Sequence, residues 1–131
     1  MSSIINKVLK EVIDMASNYS IRIGDLPADG GISIYYGAGF PFTTFQTKGM
    51  SYELDLTLNA KGIDQEAVSD ALNNIHQLLT QTKEYPETDE FQINDIITTD
   101  TPHYADLEDN GQWIYGSSLR VRFFYKKGSD N

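Results

Sequence analysis

The chain has 131 residues, enough for one compact domain and too few to bury two independent cores. Its 40% hydrophobic and 22% charged residues are those of a folding chain, and the absence of cysteine excludes disulfides, thiolate metal sites and cysteine nucleophiles. Nineteen acids against ten bases give a net charge of −9, a field that repels phosphate backbones, so no sequence-specific nucleic-acid partner is expected. No stretch approaches the roughly 18 consecutive apolar residues of a membrane span, and Met1-Ser2-Ser3-Ile4 lacks the basic-then-apolar pattern of a leader. A soluble chain made in the cytoplasm, with no membrane partner, is the expectation.

In chain order, Ile5, Val8, Leu9, Val12, Ile13 and Ala16 recur at helical spacing, with Asn6, Lys7, Lys10, Glu11 and Asp14 on the opposite face. Turn chemistry follows at 25–31, then a short strand at 32–36. Residues 37–46 break the pattern, because two glycines and a proline sit among Phe40, Phe42 and Phe45; the reading is a loop or projecting arm. Strict alternation from Met50 to Asn59 predicts a half-buried strand with Met50, Tyr52, Leu54, Leu56 and Leu58 on one face. Asp64 then caps a second helix whose stripe is Ala67, Val68, Ala71, Leu72, Ile75, Leu78 and Leu79. A strand at 91–98 follows, which Pro102 forbids from continuing as a central strand, and a long last strand spans 113–125. The order α-β-β-α-β-β, with each helix apolar on one face only, predicts a single α+β domain: a mostly antiparallel or mixed sheet with two amphipathic helices on one face.

Charge is unevenly placed. Glu84, Glu87, Asp89, Glu90, Asp95, Asp100, Asp106, Glu108 and Asp109 fall in a stretch with no Lys or Arg, whereas Arg120, Arg122, Lys126 and Lys127 crowd the last strand. Surfaces of opposite sign suit a self-associating ring or stack; a solvated acidic loop and ordinary edge cations are the plainer alternative.

Chemical signatures are scarce. Asp106, Glu108, Asn110 and Gly111 imitate the start of a calcium loop, but the position that needs a bidentate Glu is Ser117 and no flanking helices are expected. Asn110-Gly111 reads instead as a type I′ turn. His76 and His103 are the only histidines, too few for a three-histidine zinc site, and each reads as satisfied or surface-exposed. Ser117 and Ser118 lack a nucleophile elbow, and neither glycine cluster completes a phosphate cradle. No cofactor, metal or catalytic group is expected, and the chain reads as a non-enzyme. Phe40, Phe42 and Phe45 would form an apolar patch in a monomer, which points to an interface with a neighbour.

The N-terminal helix, Ile32-Ser-Ile-Tyr-Tyr36, Ser51-Tyr-Glu-Leu-Asp-Leu-Thr-Leu-Asn59, the helix beginning Asp64-Gln-Glu-Ala67, and Glu108-Asp-Asn-Gly-Gln-Trp-Ile-Tyr-Gly-Ser-Ser-Leu-Arg-Val121 together resemble the minor capsid and tail-terminator proteins of phages with long, non-contractile tails. The resemblance is one of order and texture over nearly the whole chain. It implies a small α+β domain that caps the head-proximal end of the tail tube as a ring, commonly a hexamer, and forms part of the head–tail joint. The implied partners are further copies of the chain, the major tail-tube protein and a head-completion or connector protein, in a virion assembled in the bacterial cytoplasm; the free chain can be monomeric. On this reading Arg120 and Arg122 meet a neighbouring subunit. The acids Glu84, Glu87, Asp89, Glu90, Asp106, Glu108 and Asp109 form a lumen or loop surface that repels passing DNA. A different neck or head-completion protein, or a small-ligand binder built on the arm and the acidic loop, are the alternatives.

Overall fold

A computed structural model of the chain describes residues 2–36, 42–44 and 50–126. Among these residues two helices, α1 (Ser2–Met15) and α2 (Gln65–Thr80), accompany six strands: β1 (Ile21–Ile23), β2 (Gly31–Tyr35), β3 (Phe42–Thr44), β4 (Met50–Gly62), β5 (Phe91–Leu107) and β6 (Trp113–Tyr125). The strands form one mixed sheet in the order β1-β2-β4-β6-β5, with β3 also paired to β4. Only β1 and β2 run parallel; the other pairs are antiparallel. This is the expected α+β arrangement, with two short strands, β1 and β3, that periodicity did not reveal. The expected arm at 37–46 lies outside the described residues apart from the backbone of Phe42–Thr44, so Phe40 and Phe45 receive no structural description.

Alternation in β4 does what its pattern dictates. Tyr52, Leu54, Leu56, Leu58 and Ala60 are buried, and β6 adds Leu119, Val121 and Phe123 on the same face. α1 covers that face with Ile4, Ile5, Val8, Leu9, Val12 and Ala16, and α2 with Val68, Leu72, Ile75 and Leu79, so one core serves both helices. Each fully buried Leu or Ile contributes about 1.5–3 kcal/mol. Asp64 caps α2 as expected, its carboxylate accepting from the amides of Glu66 (3.1 Å) and Ala67 (3.2 Å).

The α2 stripe needs one correction. Leu78, expected inside, is 40% exposed, while His76 is buried. At 100° per residue His76 lies about 70° from the stripe's centre and Leu78 about 90° on the other side, and β5 and β6 meet His76 with hydroxyl groups.

The strand read at 91–98 runs on through Pro102 to Leu107. It can do so because β5 is the edge of the sheet, where a missing amide costs no ladder bond. A register shift between Asp100 and His103 brackets the proline.

The type I′ turn is also corrected. No non-glycine residue among those described has a positive φ, so Asn110 is not left-handed, as that turn would require. Instead Gly111 (φ +87°) closes a three-residue loop in which the Glu108 amide donates to the Gln112 carbonyl and the Gly111 amide to the Glu108 carbonyl, both at 2.9 Å. That is a turn followed by a glycine bulge, the usual three-residue hairpin connection.

Candidate functional site

With the helices on one face, the other face of the sheet carries no helix among the described residues, and alternation places the polar residues of β4 and β6 there. Register sets Asp55 opposite Arg120 and Glu53 opposite Arg122, with Asp95 of β5 on the far side of Arg122. The result is a ladder of charges. Arg120 Nε donates to Asp55 Oδ1 at 2.7 Å and lies 3.9 Å from Glu53 Oε1. Arg122 Nε donates to Glu53 Oε2 at 3.3 Å, and its Nη1 to Asp95 Oδ2 at 3.5 Å. The Asp55 hydrogen bond raises the Arg120 pKa above its ordinary value, with Coulombic help from Asp55 and Glu53 and partial opposition from burial. Glu53, whose side chain is 15% exposed, is the shared partner of both guanidiniums. Arg120 and Arg122, expected at a subunit boundary, therefore meet carboxylates of their own chain, and their side chains stay 34% and 40% exposed.

The acidic stretch is drawn out along β5. Glu84, Glu87, Asp89 and Glu90 precede the strand, Asp95 and Asp100 lie within it, and Asp106, Glu108 and Asp109 sit at its far end, about 40 Å away, because its bulged 17 residues pair with the 13 of β6. At the first end Glu87 pairs with Lys126 and Glu90 with Lys7; at the second, Glu108 pairs with Lys61 at 3.0 Å. Asp106 Oδ1 accepts only from the amide of its neighbour Leu107 among the described contacts. Asp100 lies 3.8 Å from His103, both exposed.

Sequence reasoning missed a buried polar chain beneath α2. Ser117 Oγ donates to the Leu58 carbonyl at 2.7 Å, which commits its only proton. The 2.8 Å contact from His76 Nε2 to Ser117 Oγ must then carry an imidazole proton, and Nδ1 stands 2.8 Å from Thr98 Oγ1. Burial lowers the His76 pKa below the ordinary histidine value and so favours the neutral ring, in which Nδ1 accepts from the Thr98 hydroxyl. The pair imitates a Ser–His dyad, but the serine is 2% exposed and its proton faces a carbonyl, so the network fastens α2 to β5 and β6. Its partners lie 22 and 41 residues away, where no local signal could point to them.

Concavities are shallow. A hollow of about 290 Å³ lies between the start of α2 and the ends of β2 and β4, lined by Ile32, Ala60, Ile63, Ala67, Val68 and Ala71. Neither acidic end contributes to it. Among the described residues no group of three or more His, Asp and Glu side chains is gathered as a metal site, and no helix is long and apolar enough to cross a membrane.

A family model described as bacteriophage tail terminator protein matches residues 8–123. Among curated protein sequences, none matches the chain. Among solved structures, a chain of the virion of a native gene transfer agent (GTA) particle superposes with a TM-score of 0.58 at 9% identity, covering 86% of this chain and 84% of that one. At that identity the likeness is one of fold.

Proposed function

Given that the chain belongs to the bacteriophage tail terminator family, a structural component of the phage tail, we propose that it caps the head-proximal end of the tail tube as a ring and forms part of the head–tail joint. The observation that carries this reading is the family match over residues 8–123. The ring is a homo-oligomer, hexameric when assembled, built in the bacterial cytoplasm from chains that can be monomeric when free. One side stacks on the major tail-tube protein and the other receives a head-completion or connector protein. The role calls for surfaces and no reaction centre.

Phe40, Phe42 and Phe45 bury against a neighbouring subunit in this reading. Arg120 and Arg122 offer it the guanidinium edges that Glu53, Asp55 and Asp95 leave unused. Acids turned to the lumen, chiefly Glu84, Asp89 and Asp109, keep DNA from adhering during its passage, because they oppose the phosphate charge.

A terminator that halts tube growth makes a specific prediction for phage lacking this chain. Tails should continue into tubes of uncontrolled length, and supplying the protein should restore a single length. Tails of normal length beside heads that lose their DNA would instead identify a head-completion protein.

A further inference from the structure

Two edges of the sheet end the same rows of residues. One row runs Ile21, Ile32, Ala60, Tyr115, Tyr104 across β1, β2, β4, β6 and β5, and the next runs Arg22, Ser33, Asn59 on the open side towards Gly116 and His103. β1 and the Tyr104 segment of β5 therefore stand at the same level on opposite sides of the molecule.

Each edge exposes apolar surface on the helix side. On β1 it is Ile23, 52% exposed; on β5 it is Tyr104 (53%) and Leu107 (43%). Tyr104 is held upright by edge-on contacts with Trp113 and Tyr115, ring centroids 6.0 and 6.3 Å away. On the open side the charges are opposite. β1 presents Arg22, which enters none of the ion pairs among the described residues, while register places Asp100 opposite Ser118 and Asp106 opposite Ile114 on β5. Pro102 and four register shifts guard the β5 backbone against a simple added strand, so a partner at this edge is held through side chains.

We propose that β1 of one copy docks against the Tyr104 edge of the next, with Ile23 against Tyr104, two residue levels away, and with Arg22 between Asp100 and Asp106. The partner is a second copy because complementarity holds on both faces at once when sheets of the same orientation stand side by side. Joining opposite edges is a head-to-tail contact, the kind that generates a ring when its rotation closes. The inference rests on the ring reading above and specifies the surfaces that build it.

The chain has no cysteine, so introduced thiols report without background. Ile23→Cys and Tyr104→Cys in one chain, treated with a short bis-maleimide on assembled tails, should give a covalent ladder ending in a closed ring. The single variants mixed should stop at dimers, and Lys83→Cys with Tyr104→Cys should give none. Arg22→Glu should weaken assembly about tenfold at low salt, and Asp106→Lys in the same chain should restore it. Rings visible by native mass spectrometry or electron microscopy without the Ile23–Tyr104 link would overturn this interface and leave the ring reading standing. Absence of any ring on tails carrying the unaltered protein would overturn both.

Discussion

Replacing His76 tests the polar chain that fastens α2 to the sheet. His76→Ala removes two hydrogen bonds of 2.8 Å, leaves the Thr98 hydroxyl without its acceptor, and opens the volume of an imidazole under a buried helix face. Ser117 retains the Leu58 carbonyl and is affected less. At about 1 kcal/mol net per hydrogen bond plus the void, the loss should be about 2–4 kcal/mol. The wild-type protein should also respond to pH in a defined direction. Burial lowers the folded His76 pKa, so the unfolded chain binds the proton first as pH falls below about 6.5. The stabilising contribution is thus complete above that pH and is lost as pH drops towards the folded value, with a slope of at most about 1.4 kcal/mol per pH unit for one proton. Urea unfolding followed by the fluorescence of Trp113, the single tryptophan, between pH 7.5 and 5.5 measures both effects. His76→Gln should flatten the pH dependence. A loss below about 1 kcal/mol in His76→Ala, or the same pH profile in His76→Gln and the wild type, would refute the network as drawn.

Asp64→Ala removes the acceptor of two amides at the start of α2 and should cost about 1 kcal/mol by urea unfolding, with no change in the denaturant slope. Arg120→Gln combined with Arg122→Gln should cost about 1 kcal/mol or less of monomer stability, because the pairs are partly exposed. If those guanidiniums also reach a neighbour, the same double variant should lower ring occupancy on tails and remove part of its salt dependence; unchanged occupancy would restrict them to the ladder. Reversing Glu84, Asp89 and Asp109 to Lys should leave rings intact yet slow DNA release and reduce infectivity, and full infectivity would count against an acidic lumen.

Legibility in the sequence followed the length of the periodic signal. β4 and both helices repeat their pattern over three or more periods, so Leu54, Leu56, Leu72 and Ile75 could be assigned to the core directly. β1 and β3 have three residues each and owe their existence to a neighbour, and the β1 pairing with β2 is parallel, which no local alternation encodes. Pro102 marked the limit of a central strand correctly but could not say that β5 would be an edge and so extend to Leu107. The site was harder still. Arg120 and Arg122 were visible as cations on the polar face, but their partners depend on β6 lying between β4 and β5, a property of sheet order. The nine-acid stretch looked continuous along the chain, but β5 parts it into seven acids at its two ends and Asp95 and Asp100 along its length. Ile23 and Tyr104 carried no signal, because their exposure is decided by which strands happen to be last.

The most direct measurement is electron microscopy of phage particles and isolated tails with this protein labelled at its C-terminus. Label confined to a ring at the head-proximal end of isolated tails is the result the account predicts. Label on heads alone, or on no particle, would contradict it.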